Sequence, residues 1–316
     1  MKEALDHPEI SLVIPVYNEE ESVKLLHQEI VSVMHTIGTP YEIIFVDDGS
    51  TDGTRDVLGG LVPVKVISFR RNFGQTAALD AGIKHATGSY IVTLDGDGQN
   101  DPHDIGSLLE AIKDKDIDVV AGWRKTRKDT FGKRFASRIA AIARKILIND
   151  GIHDSGCTLK IFRRECFDHI DLSGEMHRFI PGLLKIRGFR VGEIVVNHRS
   201  RAHGTTKYNI WRGVRGTLDM FSVWFWRKYS DRPLHLFGGI GIVLLLLSII
   251  SGTWALYEKL VFGFDLSDTA LTMLSMFGFL IGIQFFVFGL LADIMSKNHF
   301  ATRNEVVYDI KDITHR

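Results

Sequence analysis

Residues 10–54 read ISLVIPVYNEEESVKLLHQEIVSVMHTIGTPYEIIFVDDGSTDGT, which is an apolar run, a helical stretch and a second apolar run. The runs at 10–16 and 41–46 have the length and composition of buried strands, and residues 19–37 have those of a helix. The alternation continues, with further strands predicted at 64–69, 90–94 and 118–121 and a helix at 75–86. These repeats predict an α/β fold, in which a mostly parallel sheet carries helices on both faces.

Three of the predicted strands end in groups of polar and turn-forming residues. They are Pro15, Tyr17, Asn18 and Glu19 at the first, Asp47, Asp48, Gly49 and Ser50 at the second, and Asp95, Gly96, Asp97, Gly98 and Gln99 at the fourth. Because ligands bind beyond the carboxyl ends of the strands in such sheets, we expect the binding site at this rim. GxGxxG after a strand and GxxxxGK[ST] do not occur, which disfavours a dinucleotide oxidoreductase and a P-loop NTPase.

The run Asp95-Gly-Asp97-Gly-Gln99 predicts a metal site. Two carboxylates and an amide at alternate positions suit a hard divalent cation, Mg²⁺ or Mn²⁺, which takes oxygen ligands and is completed by substrate phosphates. A solvated acidic turn is the alternative for such a short motif. An EF-hand loop does not fit, because Gly106 stands where the twelfth-position glutamate would be.

Two long runs without charged residues lie near the carboxyl end, at 233–257 and 269–292. Each can cross the ~30 Å hydrocarbon core as a helix, which favours a transmembrane hairpin over a pair of buried core helices. The connection 258–268 holds three acids and one base, whereas basic residues flank the hairpin outside: Arg227, Lys228, Arg232, Lys297 and Arg303. The positive-inside tendency predicts a multi-pass protein of the inner (cytoplasmic) membrane, with its large domain and both termini in the cytosol.

The 316 residues therefore divide into four predicted parts. These are a cytosolic domain at 1–208 that includes an interface helix at about 131–148, an amphipathic juxtamembrane helix at 209–232, the hairpin at 233–292 and a cytosolic tail at 293–316. The amino terminus shows no secretory signal, and Cys157 and Cys166 are expected to be reduced thiols. The formal net charge is zero, and we expect a membrane partner and no nucleic acid.

A basic segment follows the fifth predicted strand. Its basic residues, set against the single acid Asp129, are Arg124, Lys125, Arg127, Lys128, Lys133, Arg134, Arg138, Arg144 and Lys145. An apolar stripe at Phe131, Phe135, Ile139, Ile142 and Ile146 predicts an amphipathic helix, and a second stripe runs from 210 to 225. Packing on a core is the alternative, but two such basic helices before the first span favour a collar at the membrane interface.

Four strings resemble one enzyme family when taken together in this order and spacing. VIPVYNEEES, FVDDGSTDGT, NFGQTAALDAGIKHATG and LDGDGQNDP are similar to the family 2 glycosyltransferases, and within them to the dolichyl-phosphate mannose synthase group and its bacterial relatives acting on undecaprenyl phosphate. The resemblance covers about residues 10–208. It implies a GT-A fold and an inverting, metal-dependent transfer of a single sugar from a nucleotide-sugar to a polyprenyl phosphate.

The resemblance also implies roles for particular residues. Pro15, Tyr17, Glu19, Asp48 and Asp95 would bind the nucleotide-sugar, and Asp95, Asp97 and Gln99 would hold the metal and diphosphate. Arg201 and Lys207, in a segment similar to R-x-x-G-x-[ST]-K-Y, would neutralise the diphosphate and acceptor phosphate, and Arg124, Arg134 and Ser137 would bind the acceptor phosphate. Asp154 matches an aspartate that touches sugar or acceptor in relatives; an ordinary turn aspartate is the alternative there, as a turn or cap is for Asp48.

A phosphate acceptor needs positioning more than a general base, because its second pKa of ~6 leaves it ionised near neutral pH. Rival interpretations are a processive polysaccharide synthase, which two spans and a missing Q-x-x-R-W element disfavour, and an inactive GT-A scaffold. UDP-glucose is the first expected donor and GDP-mannose the second, with UDP-4-formamido-arabinose also open. Members of the family include tetramers, so a homo-oligomer is a further expectation.

Overall fold

The computed structural model describes residues 8–114, 116–125, 151–168, 170–172, 174, 176–199, 221, 224–225, 228–229, 232–263, 265–266 and 270–303. The predicted interface helix at 131–148, most of the juxtamembrane helix at 209–232 and the tail from 304 onward lie outside these residues. The chain divides into two compact units, Met1–Trp224 and Phe225–Arg316.

A seven-stranded sheet organises the first unit. Its strands are β1 (Ile10–Val16), β2 (Tyr41–Asp47), β3 (Lys65–Ser68), β4 (Tyr90–Thr93), β5 (Val119–Trp123), β6 (Lys160–Arg163) and β7 (Val191–Val195). The order across the sheet is β3-β2-β1-β4-β6-β5-β7. The β1–β2, β1–β4, β2–β3 and β5–β7 pairs are parallel, and only β6 runs antiparallel to its neighbours β4 and β5. The predicted α/β class with a mostly parallel sheet is confirmed, and β6 and β7 extend it beyond the five predicted strands.

The α-helices in the described part of this unit lie between the strands. They are α1 (Val23–Ile37), α2 (Thr54–Gly59), α3 (Gln75–Lys84), α4 (Asp104–Ile112) and α5 (Ile180–Ile186). Helix α1 begins four residues later than the predicted residue 19. The Glu19 amide donates to Thr54 Oγ1 (2.9 Å), which fixes the segment before the helix to the loop after β2. It ends at Gly38, whose φ of 72° terminates the helix in the left-handed region.

The core lies on both faces of the sheet. Alternation along β1 sends Ile10, Leu12, Ile14 and Val16 to one face and Val13 to the other. The first face packs against α1 and α4, through side chains such as Ile30 and Leu108, and the second packs against α3 and α5. Both faces of β1 are therefore buried in the core, and the polar residues lie beyond its carboxyl end.

The second unit contains two long helices, α6 (Pro233–Phe262) and α7 (Ala270–Arg303). Residues 233–262 and 270–298 are long and apolar enough to cross a membrane, and most of their large apolar side chains point outward. The helices pack closely where glycine meets glycine: a Cβ on Gly241 would lie 2.7 Å from the Gly282 carbonyl oxygen. Close backbone approach of this kind is typical of helix pairs in membranes.

Candidate active site

The loops that follow β1 and β2 are hydrogen-bonded to each other. Asn18 adopts a left-handed φ of 54°. Its amide donates to Ser50 Oγ (3.0 Å), and its side-chain oxygen accepts from the Thr51 amide (2.8 Å). These bonds hold Tyr17 and the DDGS turn at one position on the rim. Pro15 lies just below, buried within β1.

Asp48 anchors a third loop to the same position. Its carboxylate accepts from the amides of Phe73 (2.7 Å) and Gly74 (2.9 Å), the residues that lead into α3. Burial raises the pKa of Asp48, the two amides counteract the shift, and the neighbouring Asp47 adds to it. Asp48 thus fixes the loop after β3, a structural role that is compatible with its predicted role in binding the nucleotide.

The predicted metal ligands lie in one tight turn after β4. The Asp97 carboxylate accepts from the Gln99 amide (3.1 Å), and Gly98 turns the chain with a φ of 70°. Asp95 accepts a hydrogen bond from the Gln75 side-chain amide (2.7 Å), and its own backbone amide donates to Asn100 Oδ1 (3.2 Å).

The charges at this turn favour a cation. The pKa of Asp95 is raised to about 6: burial is the largest cause and the negative charge of Asp97 adds to it, while Thr158, Lys160 and Arg124 oppose the shift. A dication between the two carboxylates would relieve both the desolvation and the repulsion. The oxygen-only donor set therefore fits a hard divalent ion.

Arg124 and Asp154, predicted on separate grounds, form a buried ion pair with each other. Arg124 Nε lies 2.7 Å from Asp154 Oδ2, and Nη2 lies 3.0 Å from Oδ1. Glu193 on β7 accepts from the Asp154 amide (3.1 Å) and from the His153 amide (2.8 Å), which holds this turn against the sheet. The Asp154 carboxylate binds the guanidinium through both oxygens, in the fork geometry of strong charge-assisted pairs.

The structure adds residues that the sequence did not single out: Gln75, Asn100, Lys160 and Glu193. Gln75 lies within the string NFGQTAALDAGIKHATG, and this motif is the sequence signal that could have identified it. Lys160 and Glu193 lie in β6 and β7, the two strands that were not predicted. The other predicted residues, Arg134, Ser137, Arg201 and Lys207, lie outside the described residues.

The mixed sheet carries an acidic turn after a central strand, and polar loops lie at the same rim. This combination is that of a GT-A glycosyltransferase domain, the class that uses nucleotide-sugars. Residues 11–171 match glycosyl transferase family 2, and residues 232–297 match the GtrB C-terminal hairpin. The chain belongs to glycosyl transferase family 2 and is an enzyme of that family, anchored to the membrane by a two-helix hairpin.

Curated relatives match this chain over nearly its whole length. A dodecaprenyl-phosphate galacturonate synthase of Rhizobium johnstonii is 38% identical, over 96% of this chain and 93% of the relative. An undecaprenyl-phosphate 4-deoxy-4-formamido-L-arabinose transferase of Aeromonas hydrophila is 30% identical, over 96% and 93%. These relatives confirm the predicted group of polyprenyl-phosphate glycosyltransferases.

Solved structures confirm the fold. A mannosyltransferase of Pyrobaculum calidifontis, solved with GDP-mannose and Mn²⁺, superposes with a TM-score of 0.51 at 19% identity, over 69% of this chain and 64% of that one. A glucosyl-3-phosphoglycerate synthase of Mycobacterium tuberculosis, solved with UDP, gives 0.55 at 16% identity, over 71% and 82%.

Proposed function

We propose that this enzyme transfers one sugar from a nucleotide-sugar to a polyprenyl phosphate, with a divalent cation, at the cytosolic face of the inner membrane. The observation that carries the proposal is the pairing of an oxygen-only acidic turn, Asp95 to Gln99, with the buried Arg124 guanidinium, whose positive charge acts to lower the pKa of Asp95. The acidic turn suits a cation that in turn binds a diphosphate, and the guanidinium suits a second anion.

In the proposed reaction, an oxygen of the lipid phosphate attacks the anomeric carbon on the face opposite the nucleotide. The bond from that carbon to the diphosphate oxygen breaks, and the configuration inverts. A bound dication would supply charge neutralisation for the departing diphosphate, and Asp95, Asp97 and Gln99 would hold it. No proton has to leave the acceptor, because a phosphate monoester is largely ionised near neutral pH.

The roles of the protein residues in this proposal are positional. The loops around Tyr17, Glu19 and Asp48 place the nucleotide, and Arg124, with Arg134 and Ser137, places the acceptor phosphate. Arg201 and Lys207 neutralise the phosphates. Asp154 keeps Arg124 in one orientation, since both of its oxygens already accept from that guanidinium.

The relatives, and not the geometry, suggest additional candidates for the donor. Nucleotide-activated galacturonate joins UDP-glucose and GDP-mannose as a candidate, because the 38% identical relative is named for galacturonate. A 4-deoxy-4-formamido-arabinose donor is the next candidate, by the same argument from the 30% identical relative.

The test uses full-length protein in detergent, undecaprenyl phosphate and a panel of radiolabelled donors, with Mg²⁺, with Mn²⁺ or with EDTA. We expect a lipid product carrying one sugar, formed only with metal. A long polymer would support the processive synthase, and nucleotide binding without any product would support the inactive scaffold; either result refutes the proposal. Protease digestion of inside-out membrane vesicles, in which residues 1–208 should be accessible, tests the cytosolic orientation.

A further inference from the structure

Lys160 is a buried lysine at the candidate site to which neither the sequence motifs nor the proposed reaction assigns a role. Lys160 is only 3% exposed to solvent, and lysine side chains are rarely buried to this extent. It is the first residue of β6, the one antiparallel strand of the sheet. Because β6 runs in reverse, its first residue lies at the edge where the neighbouring parallel strands end.

The register places Lys160 between the two strands that lead to the charged residues of the site. It pairs with Thr93 of β4, two residues before Asp95, and with Ala121 of β5, three residues before Arg124. Burial lowers the pKa of Lys160, and the negative charges of Asp154 and Asp95 counteract that shift. The strand register therefore places this buried amine between the strands that lead to Asp95 and to Arg124.

The hydrogen bonds of Lys160 go to the turn that carries Asp154. The ammonium contacts the carbonyl oxygen of Cys157 and lies 3.5 Å from that of Ser155. The same turn is closed by a bond from the Gly156 amide to Asp154 Oδ1 (3.2 Å). A buried cation that bonds backbone carbonyls fixes the turn strongly, because losing those bonds would leave polar groups unsatisfied.

We propose that Lys160 is a positioning residue of the transfer reaction, whose ammonium fixes the turn 154–157 so that Asp154 holds Arg124 beside Asp95. The chain of contacts runs from Lys160 to the turn, from Asp154 to the guanidinium, and from there to the acceptor phosphate. This inference rests on the proposed function, in which Arg124 binds that phosphate.

The test compares Lys160→Met, which removes the charge at similar length, with Lys160→Arg, which keeps it. We expect Lys160→Met to raise the KM for undecaprenyl phosphate about tenfold, the effect of weakening one charge-assisted contact, while the Kd for the nucleoside diphosphate stays within about threefold. Lys160→Arg should recover most of the acceptor KM. If Lys160→Met does not fold, Lys160→Gln, which keeps a donor for the turn, takes its place.

The matched control is Lys65→Met. Lys65 also donates from its ammonium to a backbone carbonyl, that of His85 (2.8 Å), but it is exposed and begins β3 at the opposite edge of the sheet. We expect its acceptor KM to equal that of the wild type. An acceptor KM raised equally in both lysine variants would overturn the proposal.

A double-mutant cycle separates positioning from a merely structural role. If Lys160 acts through Arg124, the double variant of Lys160→Met and Arg124→Lys loses no more than the worse single variant. Losses that multiply would show independent roles and overturn the proposal while leaving the proposed function intact. A wild-type enzyme without transfer activity would overturn both.

Discussion

The Arg199 guanidinium donates to both carboxylate oxygens of Glu29, over 2.9 and 2.7 Å, and also lies 2.7 Å from Asp101. Glu29 belongs to α1, Asp101 follows the predicted metal-binding turn at 95–99, and Arg199 follows β7. The Arg199 side chain therefore joins three segments that are distant in sequence. The hydrogen bonds of Arg199 raise its pKa, and the bond to Glu29 contributes more than the bond to Asp101. The Arg199 backbone amide donates to the Gln99 carbonyl oxygen, which ties this junction to the candidate metal site (2.9 Å).

Replacing Arg199 by alanine should lower stability modestly. The side chain is 39% exposed, so solvent screening limits the loss to about 1 kcal/mol, or a fall of about 2–4 °C in the melting temperature. The measurement is thermal unfolding of purified protein, with Lys24→Ala as an exposed control on α1. The difference between the two variants should shrink at 1 M salt, and equal melting temperatures at low salt would contradict the prediction.

Gly49 and Gly38 allow the steric cost of one side chain to be isolated. Both have a φ of 72°, but a Cβ on Gly49 would lie 2.4 Å from the Arg71 carbonyl carbon, whereas Gly38 has nothing within 4 Å. Each alanine substitution costs about 1–2 kcal/mol for the left-handed backbone conformation. We expect Gly49→Ala to lose clearly more than Gly38→Ala in thermal unfolding, and to bind nucleotide more weakly because Asp48 is adjacent.

Removing one of the predicted acidic metal ligands should impair catalysis. We expect Asp97→Asn to lose transfer activity about 100-fold at fixed Mn²⁺ and to recover part of it as Mn²⁺ is raised. Asp56→Asn, an exposed acid on α2, is the control and should behave as the wild type. Unchanged turnover of Asp97→Asn at low metal would show that this turn is only a solvated loop.

The glycine contact in the hairpin should be intolerant of bulk. A Cβ on Gly241 would meet the Gly282 carbonyl oxygen at 2.7 Å, whereas a Cβ on Gly239 would meet nothing within 4 Å. Cysteines introduced at Ser248 and Ser275, where the Ser275 hydroxyl donates to the Ser248 carbonyl oxygen (2.9 Å), report helix proximity by disulfide formation. Gly241→Leu should reduce that cross-link strongly and Gly239→Leu should not; equal yields would contradict the close packing.

Both native cysteines should be inert in the folded protein. Burial raises the pKa of the Cys157 thiol and of the Cys166 thiol, so the reactive thiolate is scarcer at neutral pH than for a free cysteine. We expect a maleimide to label neither residue at pH 7 until the protein is unfolded in detergent. Rapid labelling of the native protein, detected by intact mass, would show that at least one thiol is accessible.

Much of the sheet could be predicted because its central strands are continuous apolar runs. β1 has the predicted bounds, since Ile10–Val16 is buried on both faces and carries an uninterrupted apolar signal. β6 has only four residues, with Lys160 and Arg163 at its ends, and it exists as a strand through pairing with β4, about seventy residues away in sequence. Such pairing leaves no local pattern.

The same distinction applies to the site. Asp95 and Asp97 could be identified because a strand and its polar end are contiguous in sequence. The contacts that orient the site residues come from elsewhere in the sequence: Gln75, which bonds Asp95, is 20 positions from it, and Glu193, which bonds Asp154, is 39 positions from it. The ion pair of Arg124 with Asp154 joins two residues predicted for different roles, and only the folded chain shows that they act on each other.

The mutual hydrogen bonds of the loops after β1 and β2 have an entropic consequence. Asn18 is hydrogen-bonded to Ser50 and Thr51, and Glu19 is hydrogen-bonded to Thr54, so the protein's own contacts order the two loops. Ordering a free loop costs ~1–2 kcal/mol per residue, so a nucleotide that entered flexible loops would lose much of its affinity to that cost. Here the hydrogen bonds between the loops form during folding, so a nucleotide bound beside them, as proposed, would not lose affinity to that cost.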